Sequence, residues 1–108
     1  MALTKGQKAA IERAWDETAG FAICEYSRHW YSETVPGSAP HHVFGRARSD
    51  DPRHILCMSY ELHTALHRSL PDSRGNPVTK ERCEAVLAAL HDDWVGLDET
   101  IERRSTDE

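Results

Sequence analysis

The residues with the most chemistry to offer are the histidines. Seven occur in the chain, and His41, His42, His54, His63 and His67 fall close together in its middle third. His63 and His67 are four residues apart. On a helix this spacing sets two imidazoles on one face, one turn apart, and so presents two nitrogens to one metal ion. Taken alone, the pair reads more simply as two surface or core-edge histidines. The adjacent His41 and His42 would point to opposite faces of a strand. One can then ligate while its neighbour reaches another part of the same site. His54 sits at a loop–strand junction and by itself specifies nothing. A neutral imidazole, with a pKa near ~6.5, is a metal ligand and a proton acceptor at neutral pH.

These side chains need elements to hold them. Thr4-Lys5-Gly6-Gln7 has the form of a capping box, and a helix is expected over 4–20, with Ile11, Trp15, Thr18/Ala19 and Ala22 at helical spacing and Gly20 as its stop. Residues 21–26 read as a short strand or the lead into a knuckle. Residues 34–40 are rich in turn formers. Strands are expected at 41–45 and 54–58, joined by a polar connection over 46–53. Ser59 is a good N-cap for a helix over 61–70. Thr79 caps a last helix whose apolar face runs through Cys83, Val86/Leu87, Leu90, Trp94 and Leu97 to Ile101, with Gly96 as a bend. The order is helix, irregular segment, strand, loop, strand, helix, helix.

Composition bounds what this assembly can be. At 108 residues and 39% hydrophobic, the chain fits one globular domain, 1–108. No apolar run approaches the roughly 20 residues that span a bilayer. The first residues lack an apolar signal core, so export by that route is not expected. Cys24, Cys57 and Cys83 are odd in number and form no C-x-x-C pair. That fits a reducing, intracellular and cytoplasmic setting.

Taken in order, His41-His42-Val43-Phe44-Gly45-Arg46, then Asp51-Pro52-Arg53-His54-Ile55-Leu56, then His63-Thr64-Ala65-Leu66-His67 resemble the core of the HNH endonuclease family. The resemblance covers about residues 40–70. It implies an α+β fold: a small ββα-metal core, made of a β-hairpin and a metal-binding helix, flanked by N-terminal and C-terminal helices. Two departures stand out. His54 occupies the place of the family's central Asn, which either fixes the loop or ligates the metal. The positions of the family's structural zinc knuckle read Cys24, Ser27, Ser59 and Leu62. One thiolate cannot make a four-ligand site, so no structural zinc knuckle is expected. Burial of Trp15, Phe21, Trp30, Val86, Leu90 and Trp94 is expected to supply the missing stability.

The resemblance implies a catalytic set of His42, His54 and Arg46, with His42 as general base, and a metal set of His41, His63 and His67. It implies one divalent metal ion, Zn, Mn, Ni or Mg, three imidazoles suiting the transition metals best. The implied reaction is hydrolysis of DNA phosphodiesters, leaving 5′-phosphate and 3′-hydroxyl ends. Arg46, Arg48, Arg53 and Arg68 are candidates to hold phosphates. DNA, double-stranded, is the implied partner. A homodimer or a phage or host DNA-processing partner stays open. Two other readings compete: an HNH-like metal-containing module that cuts nothing and binds nucleic acid or a protein, and a structural metal site of His41, His63, His67 and Cys57.

The net charge of −5 first counts against a nucleic-acid partner. Its distribution softens that objection. Residues 41–70 carry four arginines against Asp50, Asp51 and Glu61, a net +1, whereas residues 71–108 carry five positive and ten negative side chains.

Overall fold

The protein is described by a computed structural model covering residues 2–96. In order, the elements are α1 (Lys5–Ala14), β1 (Trp15–Asp16), β2 (Phe21–Ala22), α2 (Glu25–Tyr31), β3 (Ala39–His42), β4 (Ile55–Met58), α3 (Tyr60–Arg68) and α4 (Lys80–Leu90), with a 3-10 turn over Pro52–His54 ahead of β4. This is a small α+β fold of four helices and two small antiparallel sheets among the described residues. No helix among them is long and apolar enough to cross a membrane.

β4 organises the packing. It runs antiparallel to β3, with His41 opposite Leu56 and His42 opposite Ile55. All four β4 residues are buried, so both faces of the strand are covered. Ile55 and Cys57 pack with Ala10 and Ala14 of α1. Leu56 and Met58 join the larger core, with Tyr26 of α2, Leu62 and Ala65 of α3, and Cys83, Val86 and Leu87 of α4. Side chains alternate across a strand, so four residues serve two cores. The same alternation sends His41 toward α3 and His42 toward the N-terminus of α1.

The hydroxyl caps act as their sequences imply. Thr4 and Gln7 form a full capping box, Ser59 accepts from the Leu62 N–H, and Thr79 accepts from the Arg82 N–H. Other expectations need correction. The first helix stops at Ala14 and does not reach residue 20. Asp16 accepts from the Ala19 N–H, and Gly20 takes φ +80°, so residues 15–22 close into the β1–β2 hairpin. Trp15 is then 52% exposed, and Leu90 on α4 is 44% exposed, so neither is core. Residues 25–31 are helical, not irregular. The first of the paired strands ends at His42, because Gly45, at φ +93°, turns the chain and its N–H bonds the His42 carbonyl. α4 ends at Leu90, and Trp94 follows in a turn, its indole N–H donating to the Arg53 carbonyl at 2.9 Å. Leu97 and Ile101 lie outside the described residues.

Candidate metal centre

α3 is an amphipathic helix with Leu62 and Ala65 buried in the core. His63 and His67 lie along its flank, His63 half-buried and His67 exposed. β3 brings His41 to meet them. His63 Nε2 lies 3.2 Å from His41 Nδ1 and 3.0 Å from His67 Nε2. All three nitrogens fall within 4.8 Å of one another, an arrangement that could hold a metal ion. Two ligands at 2.0–2.1 Å from a tetrahedral ion stand about 3.3–3.4 Å apart, close to both short distances.

Proton chemistry supports the same use. Burial pushes the His41 pKa down to about 4, helped by the neighbouring imidazoles of His63 and His67. Burial also lowers His63, and His67 adds to the effect. Neutral imidazoles are the ligating form. The three open into a cleft of about 470 Å³ that Gln7, His42 and Arg46 also line. A larger cleft, of about 540 Å³, lies against the opposite flank of α3 and contains no histidine. Among its polar side chains, the Tyr31 hydroxyl donates to Asp72, and Arg74 pairs with Glu33.

The other candidates divide. His42 lines the cleft but belongs to the opposite face of β3, where its Nε2 is 2.8 Å from Asp50 Oδ1. His54 does not join the cluster. Its Nε2 lies 2.8 Å from the Val95 carbonyl, which can only accept, so that nitrogen carries the proton. Its Nδ1 then accepts from the Ser49 hydroxyl at 2.8 Å. Both ring nitrogens are thus occupied, and the ring packs edge-on against Phe44 and Trp94. His54 therefore fixes the loop instead of facing the cleft. Arg46 is exposed at the cleft rim, and Arg46, Arg48 and Arg68 make no ion pair among the described residues. Arg53 is held by Asp51 and Asp93 at 2.7 and 2.8 Å, so it is not free for phosphate.

The four positions expected to mark an absent zinc knuckle do gather in space. Cys24 Sγ accepts from the Ser27 N–H at 3.4 Å and from the Ser59 N–H at 3.2 Å. Hydrogen bonds to one sulfur close the junction between α2 and α3. The donor set of one thiol, two hydroxyls and a leucine does not suit a tetrahedral zinc.

Sequence reasoning missed Asp50 and Gln7. Asp50 was part of an undistinguished polar loop, and only the fold reveals that it meets His42. Gln7 was identified as a cap, yet its amide also donates to the Pro40 carbonyl at 3.0 Å, fastening α1 to β3. Comparison with protein-family models, curated proteins and solved structures returns no match.

Proposed function

We propose that this chain is a metal-dependent endonuclease of the HNH type that hydrolyses DNA phosphodiester bonds, with β3, β4 and α3 as a ββα-metal core. One observation carries the reading: nitrogens from a strand and from the following helix converge in a cleft that His42 and Arg46 also line. His41, His63 and His67 would hold one divalent ion, Zn, Mn, Ni or Mg. When bound, such an ion supplies Lewis-acid stabilisation of charge on phosphoryl oxygens. The chain's own residues supply the rest. His42 takes a proton from the attacking water as the water oxygen bonds phosphorus. The phosphorus–O3′ bond breaks, and O3′ takes its proton from solvent. Arg46 draws the phosphate to the rim through a charge-assisted hydrogen bond. Three buried, unpaired cysteines are compatible with the reducing, cytoplasmic setting of this reading.

The alternative is an HNH-like module that holds a metal and binds nucleic acid or a protein without cutting. Two observations favour it: His42 is only 8% exposed, and His54 is spent on the loop. A plasmid assay separates the two. Purified wild type should nick supercoiled DNA with at least one of Mg²⁺, Mn²⁺, Ni²⁺ or Zn²⁺, and EDTA should stop it. His42→Ala should lose about 100-fold or more in rate. Wild type that stays silent with every metal while still binding DNA sinks the nuclease reading. Equal activity of His42→Ala sinks the assignment of the base.

A further inference from the structure

Asp50 lies in the loop between β3 and β4, and its carboxylate meets three donors. Oδ1 accepts from the Thr4 hydroxyl at 2.5 Å and lies 2.8 Å from His42 Nε2. Oδ2 accepts from the Gly6 N–H at 3.0 Å. Gly6 is in the first turn of α1, so the carboxylate sits at a helix N-terminus, where backbone dipoles favour negative charge. The hydroxyl of Thr4, the His42 ring and the Gly6 amide hold the Asp50 pKa down at about 2. The carboxylate is therefore ionised at neutral pH and can only accept.

That fixes the neighbouring ring. His42 Nε2 must carry a hydrogen to bond an ionised oxygen, and the neutral ring then has its lone pair on Nδ1. No hydrogen bond to His42 Nδ1 exists among the described residues, and no buried side-chain nitrogen among them is left unpaired. Nδ1 accordingly retains access to solvent, in a residue that lines the cleft. Gly6 adds a packing constraint. A Cβ there would fall 1.9 Å from the Asp50 carbonyl oxygen, so only glycine lets the loop approach α1 this closely.

We propose that Asp50 is a positioning residue that locks His42 as the Nε2–H tautomer and leaves Nδ1 as the proton acceptor, with the N-terminus of α1 as its mount. The proposal rests on the reading of His42 as general base. In the attack step, the water proton passes to Nδ1, and the imidazolium keeps its Nε2–H on Asp50. The carboxylate stays ionised and stabilises the cation, the part an orienting Asp plays in hydrolytic triads.

The test uses the metal-free full chain labelled with ¹⁵N, whose imidazole nitrogens report the tautomer directly, together with turnover on plasmid. Wild-type His42 should carry its hydrogen on Nε2 at neutral pH, and Asp50→Ala should populate the Nδ1–H form. Turnover of Asp50→Ala should fall about 100-fold, with KM and zinc content unchanged. Thr79→Ala uncaps α4 away from the cleft and is the control for lost stability; its turnover should match wild type. Where Asp50→Ala does not fold, Asp50→Asn keeps the shape and is expected to lose turnover likewise. Wild-type His42 found as the neutral Nδ1–H tautomer, with no hydrogen on Nε2, overturns the proposal, as does an active wild type whose Asp50 variants turn over equally fast. If wild type cuts no DNA, the nuclease reading fails separately. The tautomers of wild type and Asp50→Ala then still decide whether Asp50 orients the ring.

Discussion

Replacing His63 separates a ligand from a packing residue, because His63 is the histidine that the other two both approach. Wild type should bind one Zn²⁺ per chain in a competition titration against a chromophoric chelator. His63→Ala should weaken that binding by more than the 10–100-fold typical of losing an outer-shell partner. His54→Ala should leave zinc affinity unchanged and instead lower stability by about 1–3 kcal/mol, since it strands the partly buried partners of both ring nitrogens. Equal zinc affinity in wild type and His63→Ala would remove the metal centre. This contrast also marks how far residues can be read without a fold. His63 and His67 were legible because four-residue spacing on a helix is a local rule. His41 joined them through the same ordered pattern that implied a role for His54. For His54 the pattern left open whether the ring fixes the loop or ligates the metal, because its direction depends on Val95, a long-range partner 41 residues away. Asp50 was invisible for the same reason: its partners Thr4 and Gly6 lie 46 and 44 residues upstream.

Element boundaries followed cap chemistry. Where a hydroxyl closes the first turn, at Thr4, Ser59 and Thr79, the helix start was legible in the sequence. α2 was not, because its cap is Cys24, whose sulfur accepts the Ser27 N–H where serine or aspartate is the usual signal. The end of α1 was missed for a different reason. Trp15, Thr18 and Ala22 continue the helical spacing, but Asp16 and Gly20 close a hairpin locally. The sulfur of Cys24 does more than cap α2, since it also takes the Ser59 N–H at the start of α3. It thus ties the helix that carries His63 and His67 to α2. The Ser27 N–H is buried and the Ser59 N–H partly so, which makes losing their acceptor costly. Cys24→Ala should cost about 1–3 kcal/mol, read as a lower urea midpoint with an unchanged slope, and Cys24→Ser should cost less. A wild-type midpoint in Cys24→Ala would mean that the sulfur is a spectator. Loss of zinc binding in Cys24→Ser with the fold intact would mean that Cys24 contributes to a metal site besides His41, His63 and His67.

At the scale of the whole molecule, the charge that counted against DNA is unevenly placed. Arg46 stands at the cleft and Arg48 follows in the same exposed turn, whereas the acidic excess belongs to residues 71–108. A domain this size also needs a device to join its two cores, and Arg13 is placed to be it. From α1, its guanidinium binds the Glu25 carboxylate of α2 at 2.8 and 2.6 Å, the Pro52 carbonyl at 2.7 Å and the Ile55 carbonyl at 2.6 Å. It also donates to His91 Nε2, just past α4, at 3.2 Å. Glu25 is 5% exposed and accepts in turn from the Cys57 N–H at 3.0 Å. One ion pair therefore connects α1, α2, β4 and the end of α4. Such a pair is weak evidence of net stabilisation, since desolvation offsets most of the attraction, but removing one partner strands the other. Arg13→Ala should cost about 3–5 kcal/mol, a large part of the roughly 5–15 kcal/mol that holds a typical domain together. The loss should appear as a collapse of the thermal midpoint by circular dichroism. Arg13→Met with Glu25→Gln should then be less damaging than the sum of the two single changes, by roughly 0.5–3 kcal/mol in a double-mutant cycle. Strict additivity would show that Arg13 and Glu25 are not coupled to each other, and that each acts through its separate bonds to Pro52, Ile55 and Cys57.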